Sequence, residues 1–204
     1  MSEIYKKLEA FFSILYDTLI ERKGGGFIRN HRNRKLRDGI FNGVFIFYLA
    51  FLLENILFKY VQPWQLFQHG RYFSRSLNLV PFRQIIGSSG IGDLNIYGNI
   101  ILFVPLGIYL MFFIKRRKAV KSLLAVFGIS LFFEAFQYAA AIGATDIDDI
   151  ILNCAGGILG VICYKVLLFV CMGKEEKAKT VIACIAAVVG MITAVLIGLL
   201  IAFN

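Results

Sequence analysis

Apolar residues run along this chain in long unbroken stretches, and five stretches reach the roughly 18 residues that a helix needs to cross about 30 Å of hydrocarbon. They lie at approximately 40–58, 96–114, 120–141, 149–172 and 180–202. A transmembrane barrel would instead show segments of about ten residues with alternating polarity, and the sequence has no such alternation. Ahead of the first run, Ile4, Leu8, Phe11, Phe12, Leu15 and Leu19 recur at helical spacing, with Lys6, Lys7, Glu9, Ser13 and Asp17 on the other side. That is the pattern of a helix lying on a membrane surface. Gly24, Gly25 and Gly26 end it, because three glycines make continued helix costly in backbone entropy. The pattern predicts an all-α integral membrane protein of about five transmembrane helices with an N-terminal amphipathic interfacial helix. Residues 1–38 form the amphipathic helix and a basic linker, 39–172 a four-span membrane domain, and 173–204 a loop and the last span.

Composition strengthens this reading. Of 204 residues 58% are hydrophobic and 17% charged, more apolar surface than one water-soluble core of this size would hide. The net charge of +9 does not indicate nucleic acid, because the basic residues flank the apolar runs instead of covering one soluble face. Arg22 to Arg37, Lys115 to Lys121, and Lys174, Lys177 and Lys179 mark cytoplasmic segments by the positive-inside rule. The N terminus is then expected inside and the C terminus outside, with 59–95 and the turn "GATDIDD" exterior. The cluster Arg29–Arg37 is a cytoplasmic anchor that can meet anionic headgroups. Acidic Glu3 and Glu9 interrupt what would be a cleavable signal, so the first span is expected to serve as an uncleaved one. Cys154, Cys163, Cys171 and Cys184 match no zinc or redox spacing and read as packing residues.

The segment between the first two spans is long for a structureless connection, and Trp64, Phe67, Tyr72 and Phe73 suit the headgroup level of a membrane. Pro81 biases Val80 to an extended conformation, and "GSSGIGD" is a hinge. In the second span Asn95 and Asn99 share a face, and Pro105 is expected to kink the helix and free the carbonyl of Ile101.

Polar residues gather where the third and fourth spans meet. Ser130, Glu134, Gln137 and Tyr138 fall at three- and four-residue steps on one stripe of the third helix. Asp146, Asp149, Asn153, Gly156 and Gly160 do the same on the fourth. Each carboxylate near hydrocarbon costs free energy unless it is paired, wet or useful. Capping explains part of the cluster, with Thr145 as N-cap and Asp148 as its reciprocal partner. The GxxxG spacing of Gly156 and Gly160 suits close helix contact. Glu134, Gln137, Asp149 and Asn153 remain as a candidate outward-opening pocket, with Asn99 and Arg83 at its rim.

The segments "NLVPF", "GNIILFVPLG", "SLFFEAFQ" and "DIDDIILNCAGG", in this order, resemble the VanZ family of bacterial membrane proteins over roughly residues 40–172. The residues that carry the resemblance are Asn78, Pro81 and Phe82; Asn99, Phe103, Pro105 and Gly107; Glu134 and Gln137; and Asp146, Asp149, Asn153 and Gly156. The resemblance implies a Gram-positive cell-membrane protein that lowers susceptibility to teicoplanin and related lipid-bearing glycopeptides. It supplies no biochemical activity. Relatives are expected to carry an arginine three residues before the first aspartate of the DIDD motif, where this chain has Gly143. Arg75 or Arg83 would take its place here.

Two activities stand nearly level. In a membrane enzyme acting on an envelope lipid or lipid-linked cell-wall precursor, Glu134, Asp149 and Asp146 would supply acid–base chemistry. Gln137, Asn153, Asn99, Asn78, Arg83 and Arg75 would bind the substrate. A divalent metal held by Asp146, Asp149, Glu134 and His69 is the less favoured version, and otherwise no cofactor is expected. The rival is a non-enzymatic protein that sequesters or excludes the antibiotic. Transport is disfavoured, because five spans show neither repeat symmetry nor paired broken helices. The expected partners are membrane lipids and a lipid-linked precursor or lipoglycopeptide, with no nucleic acid.

Overall fold

The computed structural model describes residues 27–59, 74–82 and 94–186. Its elements, in chain order, are α1 (Phe27–Leu57), β1 (Ser74–Asn78), α2 (Leu94–Phe113), α3 (Lys118–Ala140), β2 (Ile142–Asp146) and α4 (Ile147–Val170). A further helical stretch occupies 175–186. Among the described residues four helices are long and apolar enough to cross a membrane: Arg34–Leu57, Asn95–Phe113, Lys118–Ala140 and Ile147–Val170. They coincide with the first four apolar runs of the sequence. The surface helix expected before residue 24, the aromatic residues at 64–73, His69, Arg83 and most of the fifth run lie outside the described residues.

Two features depart from the expected pattern. The basic cluster from Arg29 to Arg37 is helical, because α1 begins at Phe27, directly after the three glycines. The junctional segments also contain a short parallel ladder, so the chain is not wholly α. In it β1 pairs with β2 from Ser74↔Ile142 to Asn78↔Asp146. Pro105, where a kink was expected, lies inside α2, which is helical on both sides of it.

The chain divides into two compact units, 1–48 with 166–204 and 49–165. In the first, Arg34 and Arg37 both pair with Glu176, and the Lys179 ammonium lies 5.7 Å from the centre of the Phe41 ring. The second holds the β-ladder and the polar cluster. Its packing relies on close helix contact. A Cβ on Gly156 would meet the carbonyl oxygen of Ile100 and come within 2.9 Å of Phe103 Cβ, and one on Gly160 would meet the carbonyl of Val104. On the other side of α4, a Cβ on Gly157 would come 2.7 Å from Val126 of α3. The glycines of α4 thus let α2 and α3 approach its backbone, the role that small residues play between helices in lipid. Phe103, Leu106, Val126, Phe133, Leu152, Val161 and Tyr164 fill the apolar core, with Phe112 set edge-on to Tyr164 at 4.8 Å.

Candidate functional site

α3 ends at Ala141, which adopts a left-handed conformation (φ 49°) and donates its N–H back to the carbonyls of Gln137 and Tyr138. The chain then runs through β2 and enters α4 within six residues. This tight reversal brings the polar end of α3 against the acidic first turn of α4.

Asp146 is the hinge of the arrangement. Its Oδ1 accepts the N–H of Asp148 at 2.9 Å, which makes Asp146 the N-cap of α4. Thr145, the residue expected to cap, instead donates its hydroxyl to the carbonyl of Glu134 at 3.2 Å. The strand continues through Asp146, so the helix starts one residue later than the sequence pattern suggests. Asp146 Oδ2 accepts from Asn78 Nδ2 at 2.9 Å, and the Asp146 N–H donates to Glu134 Oε2 at 2.9 Å. One aspartate therefore joins β1, α3 and α4.

Asp148 is not merely a capping residue. It is fully buried, and its Oδ1 accepts the N–H of Phe82 at 2.5 Å, 66 residues away in sequence. Phe82 has φ 65°, a conformation that costs a non-glycine residue roughly 1–3 kcal/mol and persists only where neighbours enforce it. The Asp148 carboxylate supplies that enforcement. Asn78 adds to it by accepting the Val80 N–H on its own side-chain oxygen.

Asp149 forms a second knot. Its Oδ1 accepts from Asn99 Nδ2 of α2 at 2.6 Å, and its Oδ2 lies 3.8 Å from Lys59 Nζ. Glu134 feels the charges of Asp146, Asp149 and Lys59, so these groups form one electrostatic cluster. Deeper on α4, Asn153 donates to Ser130 Oγ at 2.9 Å, while its own Oδ1 has no hydrogen-bond partner among the described residues although Asn153 is 1% exposed. Gln137 donates to the carbonyl of Ile56 at 2.8 Å. That carbonyl belongs to the last turn of α1, where helix geometry leaves acceptors unpaired.

The structure therefore buries Glu134, Asp146, Asp149, Asn153, Gln137 and Asn99, and ties the half-buried Asn78 to them through Asp146. It does not do so for Tyr138, which is 43% exposed. Arg75 lies in β1, opposite Gly143 in the register, so the ladder sets this arginine beside the position where one was expected. Among the described residues no three His, Cys, Asp or Glu side chains are grouped to hold a metal ion.

Sequence reasoning overlooked two participants. Lys59 follows the C-terminal end of the first span, on the same side as the N-terminal end of the fourth. That shared level was a usable signal. The Phe82 N–H had none, because its link to Asp148 depends on long-range folding.

These residues lie within a stretch, 45–172, that matches the family model VanZ/LLP1. The chain is also similar to Protein VanZ of Enterococcus faecium, with 36% identity over 122 residues, covering 60% of this chain and 71% of that protein. No solved structure matches it. The match spans well over half the chain and encloses the whole buried cluster, so the chain belongs to the VanZ/LLP1 family.

Proposed function

We propose that this protein acts in the bacterial cell membrane to lower susceptibility to teicoplanin and related lipid-bearing glycopeptides, with the acidic cluster at the α3–α4 junction as its functional centre. The observation that carries this reading is that the family match encloses the entire cluster. Glu134, Asp146, Asp148 and Asp149 are between 0% and 8% exposed, in a chain where buried ionisable groups are costly. Packing alone would be better served by apolar residues.

In this reading the cluster binds, or acts on, a cell-envelope lipid or lipid-linked precursor. Glu134 and Asp149 exchange protons with the bound molecule, and Asp146 fixes their geometry. Asn99, Asn78, Gln137 and Asn153 supply the polar lining, and Lys59, Arg75 and Arg83 supply positive charge for an anionic headgroup. The N terminus is cytoplasmic and the C terminus extracellular, so the cluster faces outward.

One observation favours a non-enzymatic version, in which the protein sequesters or excludes the antibiotic. All four carboxylates already accept a hydrogen bond from this chain, at distances of 2.5–2.9 Å, which suits a fixed binding surface. Incubating purified protein with extracted envelope lipid separates the versions. Lipid conversion that Glu134→Gln abolishes establishes the enzyme, and unchanged lipid with retained binding establishes the binder. Failure of the parent protein to alter teicoplanin susceptibility in a sensitive host refutes both.

A further inference from the structure

We propose that the turn 79–82 is an apolar finger that inserts among the lipid acyl chains of the leaflet beside the β-ladder, and that Asp148 holds it there. Leu77, Leu79, Val80 and Phe82 are 54%, 63%, 57% and 48% exposed. No charged residue interrupts 76–82. So many large apolar side chains on one short turn mark a surface made for an apolar environment.

Part of the turn's backbone is already satisfied within the chain. In hydrocarbon every N–H must find an internal partner. The Val80 N–H donates to Asn78 Oδ1, the Phe82 N–H donates to Asp148 Oδ1, and Pro81 between them has no N–H to satisfy. Asn78 turns its amide inward to Asp146. The Asn78 amide and the Phe82 N–H are thus bound to the acidic cluster, while the Leu79, Val80 and Phe82 side chains are exposed.

Position identifies the occupant as lipid. β1 pairs with β2, and β2 joins the end of one membrane-crossing helix to the start of the next, so the ladder lies at the bilayer boundary. α3 packs against both strands, and Leu131, Phe132 and Phe136 in its last turns are exposed. The finger thus continues the apolar exterior of a membrane span. Insertion would couple the leaflet to the cluster, because Asp148 in the first turn of α4 accepts the Phe82 N–H of the finger directly.

The proposal rests on membrane placement and not on the resistance reading, and its test contains no antibiotic. Trp64, the sole tryptophan, is replaced by phenylalanine in the full chain, and Leu79→Trp and Val80→Trp are introduced separately. Each protein is reconstituted in phosphatidylglycerol–phosphatidylethanolamine vesicles, with or without phospholipid brominated along its acyl chains. The expected result is loss of most tryptophan emission to the brominated lipid and little loss to aqueous iodide. Two positions keep the test valid if one variant fails to fold. Quenching by iodide alone, or by neither agent, at every position that folds overturns the insertion. Adding Asp148→Ala is expected to reduce quenching by the brominated lipid, and unchanged quenching would overturn the tethering role.

Discussion

Replacing Gly156 by alanine tests the packing that positions the cluster. The added Cβ would meet the carbonyl oxygen of Ile100, with Phe103 Cβ at 2.9 Å and the Ile100 carbonyl carbon at 3.0 Å. Two of these three atoms are helix backbone, which cannot rotate aside, so α2 and α4 must separate. Overpacking of this kind costs roughly 1–3 kcal/mol. At about 2–4 °C per kcal/mol for a chain of this size, the melting midpoint should fall by roughly 2–12 °C. Separation also stretches the 2.6 Å bond between Asn99 on α2 and Asp149 on α4, so resistance should fall with stability. Gly128→Ala is the control, since a Cβ there meets nothing within 4 Å, and in a helix it should be neutral or stabilising by up to about 1 kcal/mol. Thermal unfolding of the two purified proteins in the same detergent checks the difference. A Gly156→Ala protein as stable as the parent, or a Gly128→Ala protein destabilised to the same extent, would refute the close-contact account.

Two further outcomes are expected. Asp148→Ala leaves the Phe82 N–H without its acceptor and should cost about 1–3 kcal/mol, whereas Asp148→Asn keeps an acceptor oxygen and should cost less; the same thermal assay compares them, and equal losses would contradict the assigned bond. A cysteine placed at Ala144 should react with an impermeant maleimide added to intact cells, because the proposed topology, which follows the positive-inside rule for the basic segments 115–121 and 174–179, has the junction outside; labelling only after lysis would reverse that topology.

The spans were legible because membrane crossing needs only length and apolarity, which the runs around Phe47, Leu106, Phe127 and Val161 display without reference to other segments. The face of the fourth helix was legible for the same reason, as helical periodicity alone places Asp149, Asn153, Gly156 and Gly160 in line. The β-ladder was not. "SRSLN" and "IGATD" carry no alternation that marks a strand, and they pair across 68 residues, so their structure depends on the helices that bring them together. The cap moved from Thr145 to Asp146 because the ladder extends β2 by one residue. Asp148 reads as a capping partner because a sequence shows the helix end it could serve and not the distant N–H that it accepts.

Whether the buried carboxylates act in resistance is decided by teicoplanin susceptibility of a sensitive host, with the parent, Glu134→Gln and Asp149→Asn expressed at matched membrane levels. Glutamine can still accept the Asp146 N–H and asparagine can still accept from Asn99, so both substitutions remove charge while keeping the hydrogen bonds that shape the cluster. The expected result is protection by the parent and loss of protection in both variants at normal abundance. Variants that protect as well as the parent would show that the buried carboxylates serve the fold alone.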